Sequence, residues 1–140
     1  MTDAERLLTA SMAFESLLGL ELTEVTPELV SGQLAVRGDL LQPFGAVHGG
    51  VYASIAESLA SRGTFAGVYA EGSLALGQSN NTSFLRPVTE GTLTAVARPL
   101  HRGRTSWVWD VEITDEAGRR CAVSRVTVAV RPGLRPGSGS

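Results

Sequence analysis

The chain has 140 residues, with 12 Lys plus Arg against 14 Asp plus Glu and a formal net charge of −2. That length fits one domain, and the near balance of charge excludes the basic field that general nucleic-acid binding needs. Every cation is an Arg, which excludes Schiff-base chemistry and a phosphate-loop lysine and leaves Arg for phosphate contacts.

Residues 3–18 read as a short amphipathic helix, with Leu7, Leu8, Met12, Phe14 and Leu17 between charges and Gly19 as its stop. Residues 20–26 and 29–37 read as two strands around a turn at Pro27. A loop over 38–47 then leads into a long helix from Gly49 to about Ala70, roughly 30 Å at 1.5 Å per residue. Val51, Ile55, Leu59 and Phe65 are expected to form its apolar stripe, among Ala, Ser and Gly that allow close approach. Gly63 and Gly67 weaken its second half, which is therefore either frayed or tightly packed on a neighbour. From residue 74 the pattern is β, with strands over 74–85, 92–100, 105–114 and 120–130. Cys121, the single cysteine, falls in an alternating strand and reads as a small buried residue. The Pro, Gly and Ser composition of 132–140 predicts a flexible tail, leaving one domain over 1–131. One long helix followed by four consecutive strands is not a βαβ alternation. It predicts an α+β fold in which a curved antiparallel sheet wraps a central helix, with open edges that favour self-association. No apolar run approaches the roughly 18 residues of a membrane span, and residues 1–6 lack a secretory n-region. A cytoplasmic protein with no membrane partner is expected.

The chemistry concentrates at Gln42-Pro43-Phe44-Gly45-Ala46-Val47-His48-Gly49-Gly50 and at Glu57, the one acid between Leu40 and Ala70. A Gly-rich loop opening a helix offers free backbone N–H groups at the positive end of the dipole. Two turns on, Glu57 supplies a nucleophile or a base. Together they outline acyl transfer: Gly49 to stabilise charge at a carbonyl, and Glu57 either to add to that carbonyl or to activate water. Ser61, one turn further, shares the Glu57 face and is placed to orient the water. His48 is expected to shape the helix entry rather than to move protons. Gln42 is either a carbonyl-facing donor or a loop residue. With only His48 and His101 present and no serine elbow, neither a metal site nor a triad is supported.

The run from Gln42 to Ser61 resembles the hotdog-fold acyl-CoA thioesterases of the phenylacetate-pathway type, closest to the Glu-dependent 4-hydroxybenzoyl-CoA thioesterases. The resemblance continues through Gly77 to Phe84, Arg86-Pro87, His101 to Arg104, Trp107 to Asp110 and Asp115 to Cys121, covering roughly residues 20 to 131. It implies a hotdog fold, a dimer or dimer of dimers with sites at the subunit boundary, and hydrolysis of an aromatic acyl-CoA, as in aromatic catabolism. No cofactor is implied, since CoA is part of the substrate. By position it implies Glu57 as the catalytic carboxylate and Gly49 as the carbonyl-polarising N–H. It also implies His48 and Gln42 as supporting loop positions and Ser61 as the hydroxyl, and Gly50 is expected to bind substrate. For the coenzyme phosphates it points to Arg86 and Thr105, with Arg104 standing where the family has a Ser. Alternatives are a 1,4-dihydroxy-2-naphthoyl-CoA or medium-chain hydrolase, or a module that binds acyl-CoA without turnover.

Three features keep two readings each. Asn80, Asn81 and Thr82, polar in mid-strand, either line the acyl pocket or are satisfied interface groups. The basic turn with Arg102, Arg104 and Thr105 either holds phosphates or is an ordinary hairpin surface. Trp107 and Trp109 share one face of a strand, as core or subunit contact before base stacking.

Overall fold

The computed structural model describes Arg6 and residues 12–133. Leu7, Leu8 and Arg135 fall outside the described residues, as do residues 134–140 of the expected tail. Helix α1 spans Ala13–Leu18 and stops at Gly19, whose φ of 83° is the left-handed cap that glycine adopts freely. Strands β1 (Leu20–Val25) and β2 (Val30–Ala35) pair antiparallel around Pro27. Helix α2 runs Gly49–Val68. Four strands follow: β3 Ser73–Phe84, β4 Thr92–Arg102, β5 Ser106–Thr114 and β6 Arg120–Pro132. All six form one antiparallel sheet in the order β1-β2-β4-β5-β6-β3. Helix α2 packs against every strand of it. This is the wrapped-helix α+β architecture of a hotdog fold. Among the described residues, no helix is long and apolar enough to cross a membrane.

The small residues of α2 explain how closely the sheet wraps it. Val51, Ile55 and Leu59 are buried as expected, with Ala56 and Ala60 beside them. Phe65 is not part of that stripe. It lies six residues after Leu59, a spacing that turns it to another side of the helix, where it is only half-buried. The second half of α2 is tightly packed. A methyl group on Gly63 would stand 2.3 Å from Trp109 Cη2 and 2.8 Å from Val30 Cγ2, and one on Gly67 would stand 2.3 Å from Trp107 Cη2. The two indoles stack at 6.1 Å, and Trp109 Nε1 donates to Thr64 Oγ1 at 2.8 Å. Both tryptophans are therefore core. Cys121 is buried with its Sγ 3.2 Å from the Ile113 carbonyl oxygen, and burial pushes the thiol up.

The β5–β6 turn is held by one carboxylate. Asp115 Oδ1 accepts from the Ala117 and Arg119 N–H groups at 3.0 and 2.9 Å, and Oδ2 accepts from Arg119 Nε at 2.9 Å. The Arg119 N–H and then its guanidinium hold this carboxyl below the usual range against a smaller upward push from burial. A carboxyl lowered by folding stabilises above its unfolded value, about 3.9, and that contribution is lost as pH falls through its folded value. The urea midpoint of the wild type should therefore exceed that of Asp115→Asn at pH 7, with the gap closing below about pH 4. A gap unchanged down to about pH 2.5 would contradict this assignment.

Strand β3 lies at one edge of the sheet, so one side of its 12-residue backbone has no strand partner among the described residues. Leu76 and Phe84 are exposed along it.

Candidate active site

The loop before α2 is a closed turn. Gly45, at φ 92°, donates its N–H to the Gln42 carbonyl at 2.9 Å, and the Gln42 N–H reaches the Ala46 carbonyl at 2.7 Å. Leu41 and Val47 pair across its base. The Gln42 side-chain oxygen accepts the Phe44 N–H, so that oxygen is committed locally while its amide group remains a donor.

His48 is the N-cap of α2, with extended φ of −63° and ψ of 136°. Its Nδ1 accepts the Gly50 N–H at 2.8 Å, which leaves the proton of the neutral ring on Nε2. This is the helix-entry role expected of His48, and it removes the Gly50 N–H as a donor to a ligand. The Gly49 N–H, in contrast, has no partner among the described residues. A methyl on Gly49 would stand 2.7 Å from Cζ of the exposed Phe84, so a side chain there requires that ring to move. Arg86 borders the same cleft.

Glu57 is exposed on α2 and lies flat against β3. A methyl on Gly77 would stand 2.8 Å from Glu57 Cδ and 3.0 and 3.1 Å from its two oxygens. The register of β3 against β6 shifts between Gly77 and Ser79, so a bulge at Gln78 adjoins the carboxylate, a common device for aiming a side chain. No hydrogen bond or ion pair engages the Glu57 carboxylate among the described residues. Beside it opens a cavity of about 350 Å³, in which Phe14, Phe65, Leu74 and Leu76 are joined by Glu57 and Ser61. Ser61 thus shares a cleft with Glu57, as the helical spacing predicts.

The same cavity holds a feature that sequence reasoning missed. Arg62 and Glu15 form a buried pair, with Arg62 Nη2 3.1 Å and Nε 3.3 Å from the two Glu15 oxygens. It fastens α1 across α2. Ser58 also lines this cleft, and nothing in its sequence context marked it.

The mid-strand polar residues divide by the strand alternation. Asn80 Nδ2 donates to the Ala53 carbonyl of α2 at 2.9 Å, and Asn80 Oδ1 accepts from Thr82 Oγ1 at 2.7 Å and Ser124 Oγ at 3.2 Å. Asn80 and Thr82 therefore border a cleft shared with Glu57 while being hydrogen-bonded to the fold. Asn81 belongs to the other face of the sheet, beside Arg98 and Asp110, and is not near Glu57.

The candidate phosphate residues are also split. Arg86 sits at the Gly49 end of α2, whereas Arg102, Arg104 and Thr105 gather beside Gly67 and Val68. Those ends are about 27 Å apart along the helix. Arg102 stands 5.8 Å from the Trp107 ring centroid and pairs with Glu28 at 3.3 Å. Arg131 joins the cluster through a 3.2 Å bond to the Thr105 carbonyl.

Gly49 and Glu57 are likewise separated, by about 12 Å along one helix.

Residues 44–122 match the thioesterase superfamily. The chain is 39% identical to the proofreading thioesterase EntH of Cronobacter turicensis, over 81% of this chain and 82% of that protein. Among solved structures it is similar to the Mycobacterium tuberculosis protein Rv1847, at 43% identity and a TM-score of 0.84, covering 89% of this chain and 100% of the other. It is also similar to the thioesterase PA1618 of Pseudomonas aeruginosa, solved as a Gln-to-Ala variant, at 34% identity and a TM-score of 0.84 over 94% and 96% of the two chains. The fold and these likenesses define a hotdog-fold thioester hydrolase. The chain belongs to the thioesterase superfamily.

Proposed function

We propose that this enzyme hydrolyses an aromatic acyl-CoA, of the 4-hydroxybenzoyl-CoA kind, to the free acid and CoA at a site shared by two chains. The observation that carries the reading is the pair of unengaged groups at opposite ends of two helical turns. The Gly49 N–H and the Glu57 carboxylate are each without a partner among the described residues, and the helical rise sets their backbones about 12 Å apart. A two-fold dimer brings two such groups together by setting Gly49 against the partner subunit's Glu57 and the reverse. The open edge of β3 and its exposed apolar side chains suit such an interface, and dimers of that kind pair further in a dimer of dimers.

At that boundary the Gly49 N–H donates to the thioester carbonyl oxygen, at a helix start where the dipole favours negative charge. The partner subunit's Glu57 either adds to the carbonyl carbon or removes a proton from an attacking water, which the Ser61 hydroxyl orients. The carbon–sulfur bond breaks as the tetrahedral centre collapses, and the thiolate leaves and takes up a proton. In the addition route water then opens the Glu57 anhydride, freeing the acid and restoring the carboxylate. A thiol on the cysteine scale has a pKa of about 8.5, so the leaving group needs little acid assistance. His48 fixes the loop that aims Gly49, with Gln42 contributing its amide donor. Antiparallel pairing of the two α2 helices also brings Arg86 to the side on which the partner subunit's Arg102, Arg104 and Thr105 lie, which gives the coenzyme phosphates cations from both chains.

Glu57→Gln keeps the shape and removes the charge. It is expected to lower kcat by about 1,000-fold or more for whichever of 4-hydroxybenzoyl, phenylacetyl, dihydroxynaphthoyl or hexanoyl-CoA the wild type turns over. CoA binding should be retained. Full turnover in Glu57→Gln rules out the catalytic reading, and CoA binding without turnover in the wild type turns the protein into a binding module.

A further inference from the structure

Phe44 is 94% exposed, more than any other large apolar side chain in the described residues. It is not on a loose segment. Its own N–H is held by Gln42 Oε1, and the turn beneath it is closed by the Gly45–Gln42 and Gln42–Ala46 bonds at 2.9 and 2.7 Å and by the Leu41–Val47 bridge. A phenyl ring fixed in water on a rigid turn is a surface waiting for a cover.

The shared-site reading supplies one. If Gly49 faces the partner subunit's Glu57, the two-fold axis passes level with Ala53, midway between them along α2. Residues that precede Gly49 along the axis then fall level with those that follow Glu57 on the other chain. Phe44, on the turn that leads into the Gly49 end of α2, is then directed toward the part of the partner subunit's α2 beyond Glu57, where the partner subunit's Ser61 and Arg62 border the cavity of about 350 Å³. That cavity is mostly apolar, with Phe14, Phe65, Leu74 and Leu76 in its walls.

We propose that Phe44 of each chain closes this cleft in its partner and forms the far wall of the acyl pocket, making it a residue that determines which acyl groups fit. The inference rests on the shared-site reading and adds to it a defined wall. A flat phenyl ring facing the apolar cleft across the acyl group favours a flat aromatic acyl chain over a long flexible one. Discrimination of this kind, from hydrophobic contact alone, is worth about 10- to 200-fold in kcat/KM.

Two measurements on the full chain test it. A benzophenone amino acid in place of Phe44 should, on irradiation, give a covalent dimer whose linked peptide includes the partner subunit's Ser61, Phe65 or Leu76. Linkage within the same chain, linkage elsewhere on the partner, or no covalent dimer overturns the placement. In parallel, Phe44→Ala should lower kcat/KM for the best aryl thioester by about 10-fold or more while leaving a decanoyl thioester unchanged or improved. An equal loss for both substrates overturns the specificity role. The two ideas fail separately. If Glu57→Gln abolishes turnover but the linkage falls elsewhere, only the role of Phe44 is lost. If the linkage is as expected but the wild type hydrolyses no thioester, only the function is lost.

Discussion

Mixing the Glu57→Ala protein with the Gly49→Pro protein should restore turnover that neither has alone, to roughly a quarter of the wild-type rate. Proline is the informative replacement at residue 49. It removes the N–H, it is tolerated at the first helical position, and His48 already has the extended backbone that precedes a proline. Its ring carbons meet Phe84, so Gly49→Ala serves as the control for crowding. The difference between the two isolates the lost donor, about 100- to 1,000-fold in kcat. After the two defective proteins exchange subunits, half of the dimers are mixed, and each mixed dimer has one intact site and one doubly damaged site. Thiol release follows the recovery, and native mass spectrometry confirms that mixed dimers formed. Mixed dimers without recovered activity would place both groups on one substrate within a single chain.

The largest expected loss of stability comes from the other end of the same helix. Gly63→Ala inserts a methyl group 2.3 Å from one wall and 2.8 Å from another. Neither wall can retreat easily. Trp109 is fully buried and tied to Thr64 through its indole N–H, and Val30 is equally buried in β2. Helix and sheet must separate instead, at a cost of about 3 kcal/mol, the upper part of the range for overpacking. For a domain of this size that lowers Tm by roughly 10 °C, measured by calorimetry or circular dichroism. Trp109→Phe removes the atoms that collide and leaves a cavity of its own. The double variant should therefore be less unstable than the sum of the two single variants. Additive losses would mean that the methyl group at residue 63 does not collide with the Trp109 ring, since helix propensity alone would make Gly63→Ala stabilising.

Much of this was legible in residue order, and the reasons are local. The start of α2 announces itself in Val47-His48-Gly49-Gly50, where a capping side chain takes the Gly50 amide and leaves that of Gly49 free. The strands from residue 73 onward show alternation and turn residues at their breaks, and their observed limits differ from the expected ones by only a few residues. Whatever depends on which way a side chain faces was less accessible. Phe65 reads as part of the stripe until its distance from Leu59 is converted to an angle. Asn80, Asn81 and Thr82 form one polar word in the sequence, and the pleat sends its middle letter to the opposite surface. The Glu15–Arg62 pair joins residues far apart in the chain across two crossing helices, and no local pattern encodes that crossing. The separation of Gly49 from Glu57 along α2 follows from the helical rise alone.

Cys121 has a consequence for how such an enzyme lives with its own product. Each turnover of a thioester releases a free thiol, and thiols exchange readily with oxidised cysteines. The sole sulfhydryl of this chain is buried on β6 against the Ile113 carbonyl of β5, where neither an oxidant nor a released thiol can touch it. Mixed disulfides must wait for the sheet to open. The rate at which a thiol-reactive dye labels the protein therefore becomes a clock for that opening.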